Sequence, residues 1–227
     1  MDLLDFARGP ALVFAILVFV LGTGWRMWGV LSRPRMADLS PAREGMPSDM
    51  VGALRHIVRC MWPRKEFGAT TMVATANGYV FHIGLALIFF GYAPHIAFIR
   101  RLTGLSWPAL PDLVMYLAAG ATIAAMLLAL IVRLRDPVRR KISIADDWIT
   151  WVITFLPVIT GMAVINESSA LVVARDHVVF RGPLALHLLT LELLLIWFPF
   201  GKLMHAFLFA FSRGATGIRF NHRGVKL

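Results

Sequence analysis

The chain has 227 residues, 58% of them hydrophobic and 16% charged, with a mean hydropathy of +0.70. Soluble domains carry about half apolar and about a quarter charged residues, and disorder needs low hydrophobicity, so both classes are excluded. The single cysteine, Cys60, excludes a disulfide framework, a CxxC zinc site, an iron–sulfur cluster within the chain and CxxCH haem attachment. A formal charge of +10 would suit nucleic acid only if the basic residues lined a soluble surface. They flank apolar runs instead, so no nucleic-acid partner is expected.

Five apolar runs are long enough to cross a hydrocarbon core of about 30 Å, which takes about 20 helical residues. They cover about 10–30, 72–99, 112–134, 148–166 and 184–211. The first has neither the basic leader nor the small-residue cleavage site of a secretory signal, and it ends in Trp25, Arg26, Met27 and Trp28, so it reads as a retained helix. Continuous apolar runs do not fit the alternating strands of a barrel. The expected architecture is a single all-α membrane domain over 1–227 with five transmembrane helices.

The segment 31–71 between the first two spans is the longest piece outside the membrane. Within it Val51, Leu54, Ile57, Val58 and Met61 recur at helical spacing, with Arg55, His56 and Arg59 between them. Two readings stand: an amphipathic helix on the membrane or under a partner, and a plain surface helix.

The basic residues set an orientation. Segment 31–71 holds Arg33, Arg35, Arg43, Arg55, Arg59, Arg64 and Lys65; the connection after the third span holds Arg133, Arg135, Arg139, Arg140 and Lys141; the tail holds Arg213, Arg219, Arg223 and Lys226. The opposite side has Arg8, Arg100, Arg101, Arg175 and Arg181. Sixteen against five predicts the N-terminus outside and the C-terminus in the cytoplasm. Topology and contact with anionic membrane lipids then account for the net charge.

Four of the seven histidines fall in or beside only two spans: His82 and His95 in the second, His187 and His205 in the fifth. Ionisable side chains at membrane depth are costly and face the bundle interior, which makes a functional role the default. Eighteen residues separate His187 from His205, five whole turns, so in one continuous helix both rings point the same way, about 27 Å apart. His82 and His95 are about 20 Å apart by the same arithmetic. With the two helices antiparallel, His82 and His205 share the cytoplasmic level, and His95 and His187 the outer level. Two imidazoles per level suit two stacked bis-histidine haems. Zinc or copper wants three or four ligands at one level. Gly78, Gly84, Gly91 and Gly201 beside the ligands would let a planar ring approach, or serve close helix packing.

Phe81-His82-Ile83-Gly84 followed by Gly91, and Leu186-His187-Leu188 followed by Phe198-Pro199-Phe200-Gly201-Lys202-Leu203-Met204-His205, resemble the gamma subunit of respiratory nitrate reductase. The likeness extends over all five spans, and the region Gly22 to Arg26 is similar to that family's first-helix end. The resemblance implies a dihaem b-type cytochrome of a bacterial inner membrane. Such a subunit anchors a cytoplasmic iron–sulfur subunit and a further catalytic subunit, and exchanges electrons with quinone or quinol. Similar five-helix cytochromes serve sulfite-reductase-associated and heterodisulfide-reductase-like complexes. Three positions depart from the family pattern. Tyr92 stands where the second ligand usually follows Gly91, leaving His95 as the candidate. The basic quinone residue near the third span has no match, with Asp112 in that region. Glu192 occupies a usually apolar place, either as a hydrogen-bonded acid or as a proton carrier.

The expected sites are therefore iron ligation by His82 with His205 and by His95 with His187, and quinone binding among Tyr92, Arg100, Arg101 and Asp112. Three other functions remain in view: a four-helix b-type cytochrome, a transporter or channel using the histidines as a proton relay, and a structural anchor without haem.

Overall fold

The computed structural model describes residues 2–34, 38–63, 65–164 and 181–225. Arg35, Arg64, Arg175 and Lys226 of the charge count, and the predicted fourth span beyond Val164, lie outside the described residues. All regular structure among the described residues is helical. In chain order the helices are α1 (Leu3–Leu31), α2 (Asp49–Arg59), α3 (Gly68–Gly91), α4 (Ala93–Thr103), α5 (Asp112–Arg135), α6 (Pro137–Ile142), α7 (Ala145–Val164), α8 (Arg181–Trp197) and α9 (His205–His222).

Among the described residues four helices are long and apolar enough to cross a membrane, α1, α3 from Thr71, α5 and α7, and α8 with the stretch Lys202–His222 passes as a bent pair. The chain is a multi-pass membrane protein, and its surface agrees. Val13, Phe14, Leu17, Val20 and Leu21 of α1 are exposed, as are Leu113 and Leu117 of α5. The buried positions are mostly small: Ala7, Ala15, Ala118, Ala119, Thr122, Ala125 and Ala185. Lipid offers apolar side chains as good an environment as the interior does, so helices associate where small residues let backbones approach.

The fifth predicted span is not one helix. α8 and the stretch Lys202–His222 meet at a bend of 76°. Pro199 has no N–H for the helical ladder, and Gly201 is extended (φ −99, ψ −170), so the apolar run turns here although its hydropathy is unbroken. His187 and His205 thus sit on different helices, and the eighteen-residue, five-turn alignment does not apply to them.

The second predicted span is also divided. α3 ends at Gly91, Tyr92 is extended (φ −82, ψ 127), and α4 starts with Pro94 in its first turn. A proline there would clash with the carbonyl four residues back if the helix continued. The break frees the last carbonyls of α3, and three of them find donors. Leu110 N–H donates to Gly91 at 2.9 Å, the Trp107 indole donates to Phe90, and His95 Nδ1 meets Ile88 at 3.0 Å.

The membrane helices pack in the order α3–α5–α7–α8–α1, each on the next. Asn77 donates to Ala125 O (3.0 Å) between α3 and α5, and Trp151 donates to Met126 O (3.1 Å) between α7 and α5. The curved row brings α3 and α4 opposite α8 and α9. α8 and the turn after it bury Ala185, Glu192 and Pro199 at seven-residue intervals, on the flank whose Pro199 meets α1. α1 answers with Ala7, Ala15 and Gly22, where any Cβ on Gly22 would stand 2.7 Å from Pro199 Cγ. α1 is kinked at Gly9 (φ −111, ψ −106), just before Pro10, and Ala7 and Ala15 on the two sides of the kink are both buried.

Segment 38–63 and α9 form a layer at the end of the bundle. α2 buries Gly52, Ala53 and His56 against Gly214, Gly217 and Asn221 of α9, while Val51, Leu54 and Val58 stay exposed. A helix forms here, as both readings of the sequence required; its small-residue face makes the contact within the chain and its large apolar side chains face away. The layer is tied by Arg213 donating to Cys60 O (2.7 Å), Asn221 to Pro47 O (2.7 Å) and Arg223 to Asp38 (2.9 Å).

Candidate functional site

Two histidine pairs face each other between α3–α4 and α8–α9. The ring centres of His82 and His205 are 6.1 Å apart with planes at 87°. Those of His95 and His187 are 6.3 Å apart with planes at 18°. The charge-derived antiparallel order grouped the same residues by level.

Each imidazole is oriented through Nδ1. His82 Nδ1 meets Gly78 O at 2.7 Å, His205 Nδ1 meets Lys202 O at 2.8 Å, and His95 Nδ1 meets Ile88 O at 3.0 Å. His187 Nδ1 lies 3.2 Å from Thr160 Oγ1, which is linked to Thr190 Oγ1 at 3.0 Å. A carbonyl on Nδ1 fixes the proton there and leaves Nε2 as the metal-binding atom.

The helix breaks aim the rings. A continuous helix would turn His95 about 140° away from His82, whereas the break at Tyr92 brings His95 opposite His187. The turn after α8 likewise presents His205 as the first residue of α9. Its position is clamped next door: Lys202 pairs with Asp147 at 2.6 Å, and Arg133 reaches the same carboxylate at 3.2 Å.

Metal–imidazole bonds of about 2.0 Å on both sides, plus about 1.1 Å from each nitrogen to its ring centre, require centres about 6.2 Å apart. Both pairs have that separation. No group of three or more His, Cys, Asp or Glu able to hold a metal ion occurs among the described residues. The donor set is thus two imidazoles per level, which suits a metal already held by a macrocycle.

Two clefts bear on the site, and only the smaller is lined by a residue of the pairs. One of about 520 Å³ is lined by Arg100 and Arg101 with Ala93, Ile96, Ser106 and Trp107. Tyr92 lies instead beside His95, ring centres 5.3 Å apart, and Asp112 is exposed in the first turn of α5 without lining this cleft. The other cleft, about 280 Å³, is lined by Arg26, Asp146, Lys202 and His205.

The glycines have different roles from those expected of a ring-admitting surface. A Cβ on Gly84 would meet Thr122, one on Gly91 would meet Leu110 and Met115, and one on Gly201 would meet Trp197, so all three serve close packing. Gly78 has open space around it. The glycine beside a candidate ligand is Gly161, where a Cβ would come within 3.0 Å of His187 Cε1. Sequence reasoning missed Thr160, Gly161, Thr190 and Lys202; the polar-small step Thr160-Gly161 within an apolar span was the available signal.

No protein-family model matches the chain. A curated relative from Nitratidesulfovibrio vulgaris, described only as "Protein", is 29% identical over 231 residues, spanning 94% of this chain and 91% of the relative.

Proposed function

We propose that this chain is the membrane-anchoring, dihaem b-type cytochrome subunit of a respiratory oxidoreductase complex. It moves electrons between the quinone pool and a cytoplasmic iron–sulfur partner. The observation that carries this reading is the pair of histidine couples at 6.1 and 6.3 Å, each ring held through Nδ1. His82 with His205, and His95 with His187, would hold the two haems. Bound haem supplies reversible one-electron chemistry.

The protein's own groups do the rest. Gly78, Ile88 and Lys202 carbonyls and the Thr160 hydroxyl hold the imidazoles in the tautomer that presents Nε2. In the cleft beside His205, Arg26 has no hydrogen bond or ion pair among the described residues, and its guanidinium suits the acidic substituents of a haem. Arg100 and Arg101 offer cationic donors to a quinone oxygen in the larger cleft, within one helix of His95. Tyr92, beside His95, and Asp112, in the first turn of α5, are the remaining quinone candidates and stand outside this cleft's lining.

In the orientation set by the positive-inside asymmetry, the His82–His205 pair and the α2–α9 layer face the cytoplasm of a bacterial inner membrane. That layer is where the iron–sulfur partner docks. The test is optical: purified protein should carry two non-covalent haem b groups per chain that a quinol reduces. Colourless protein would overturn the proposal.

A further inference from the structure

The two buried side-chain polar atoms without a hydrogen-bond partner among the described residues are Glu192 Oε1 and Thr23 Oγ1. Their residues are 3% and 8% exposed. Both belong to helices of one contact, Glu192 to α8 and Thr23 to α1. Glu192 occupies the middle of the series Ala185, Glu192 and Pro199 that α8 and its turn bury, and Thr23 follows Gly22, which abuts Pro199. At a rise of about 1.5 Å per residue, the level of Thr23 is about 10 Å nearer the α9 end of the bundle than Glu192.

Buried polar atoms almost always find partners, and an orphaned one costs about 1–3 kcal/mol in general. Two orphans on one seam are therefore a departure that calls for a function. The seam is separate from the histidine site. Five residues separate His187 from Glu192, about 140° around the helix, so the carboxyl lies on the flank away from His95.

We propose that Glu192 and Thr23 form a proton-binding seam between α1 and α8, in which the Glu192 carboxyl takes up one proton when a haem gains an electron and releases it when the electron leaves. This deepens the cytochrome reading and rests on it. Ferric haem bears a formal positive charge that favours the carboxylate, and reduction removes that charge. Thr23 is both donor and acceptor; with about 10 Å between the two levels, a proton entering from the α9 end passes Thr23 and reaches Glu192 through bridging water. The charged groups of the packed elements stand away from the Glu192 level: Asp2 before α1, Asp5, Arg8 and Arg26 on it, the last about one turn past Thr23, and Asp146 and Asp147 on α7. Between Arg8 and Arg26, and between Asp147 and Val164, those helices carry no charge. On α8 itself the titratable neighbour is His187. Glu192 thus has no fixed counter-ion in mid-span, and the haem charge is its switch.

Redox-difference infrared spectra of the full protein in lipid, with the visible spectrum recorded on the same film, test this. Reduction should raise the C=O stretch of a protonated carboxyl, shifted in D₂O, and Glu192→Gln should lose that band while both haems still reduce. Thr23→Val should keep the band but slow its deuterium shift several-fold. Full haem reduction with no such band in the unmodified protein, or with the band intact in Glu192→Gln, overturns the proposal and leaves the cytochrome reading standing. An unchanged shift in Thr23→Val removes Thr23 from the path. A colourless film overturns the cytochrome reading, and the coupling with it.

Discussion

His95 and His187 lie with ring centres 6.3 Å apart and planes 18° apart because α3 stops at Gly91 and restarts at Ala93. Pro94→Ala should favour a continuous helix and rotate His95 away from His187. The low-temperature spectrum should then lose the outer haem signal and keep the inner one. Two unaltered signals would show that the break does not depend on the proline.

His205→Ala removes one ring of the 6.1 Å pair without touching a buried contact, since His205 is exposed. One of two b-type signals should disappear while the protein still inserts and is purified at normal yield. Survival of both signals would show that His205 is no ligand.

Thr160 supports His187 from the neighbouring helix, with Thr160 Oγ1 at 3.2 Å from Nδ1. Loss of a group that hydrogen-bonds the far nitrogen of a ligating imidazole typically changes metal affinity about 10- to 100-fold. Thr160→Val should weaken retention of the outer haem by that order and shift its midpoint potential, while the inner haem titrates as before. A titration in which both potentials are unmoved would remove the hydroxyl from the site.

Close packing joins α2 to α9 at Gly217, where a Cβ would stand 2.7 Å from Gly52 O. Gly217→Val should cost about 1–3 kcal/mol by overpacking and release the layer. Proteolysis within 38–63 should then quicken, and co-purification of the cytoplasmic partner should fall, with haem content maintained. Unchanged cleavage would contradict the docking role given to this layer.

The same layer has an acid limit. Hydrogen bonds from Ser40, then the Arg223 guanidinium, hold the Asp38 carboxyl well below its ordinary range. A carboxyl lowered in the folded state contributes stability above its unfolded value and loses it as pH falls through the folded one. The Asp38–Arg223 tie should therefore persist at mildly acidic pH and release only well below the usual carboxylate range. Arg223→Gln should release the tail at neutral pH, as read by tail proteolysis.

Much of the architecture was legible in the sequence because hydropathy over a span is a local property. The runs at 112–134 and 148–166 became α5 and α7 with little change of bounds, given that α7 is described to Val164. The breaks in the second and fifth runs were less so. Pro94 stands in the sequence as a helix breaker, but the extended Tyr92 depends on Trp107 and Leu110 returning to cap freed carbonyls, a tertiary event. Pro199 and Gly201 lie in a run whose hydropathy stays high through the turn, so periodicity counted across them placed His187 and His205 on one axis. Glycine roles were illegible for the same reason: only the fold shows that Gly84 faces Thr122 and that Gly161 faces His187.

The ring angles supply the most direct measurement of the central claim. Nearly parallel axial imidazoles split the iron's lower d orbitals and give a rhombic low-spin signal, whereas perpendicular ones leave those orbitals nearly degenerate and give one dominant, strongly anisotropic signal. With planes at 18° for His95–His187 and 87° for His82–His205, electron paramagnetic resonance of the oxidised protein should show one signal of each kind. His205→Ala should abolish the anisotropic one alone. The absence of low-spin haem signals, or loss of the rhombic signal in His205→Ala, would contradict the account.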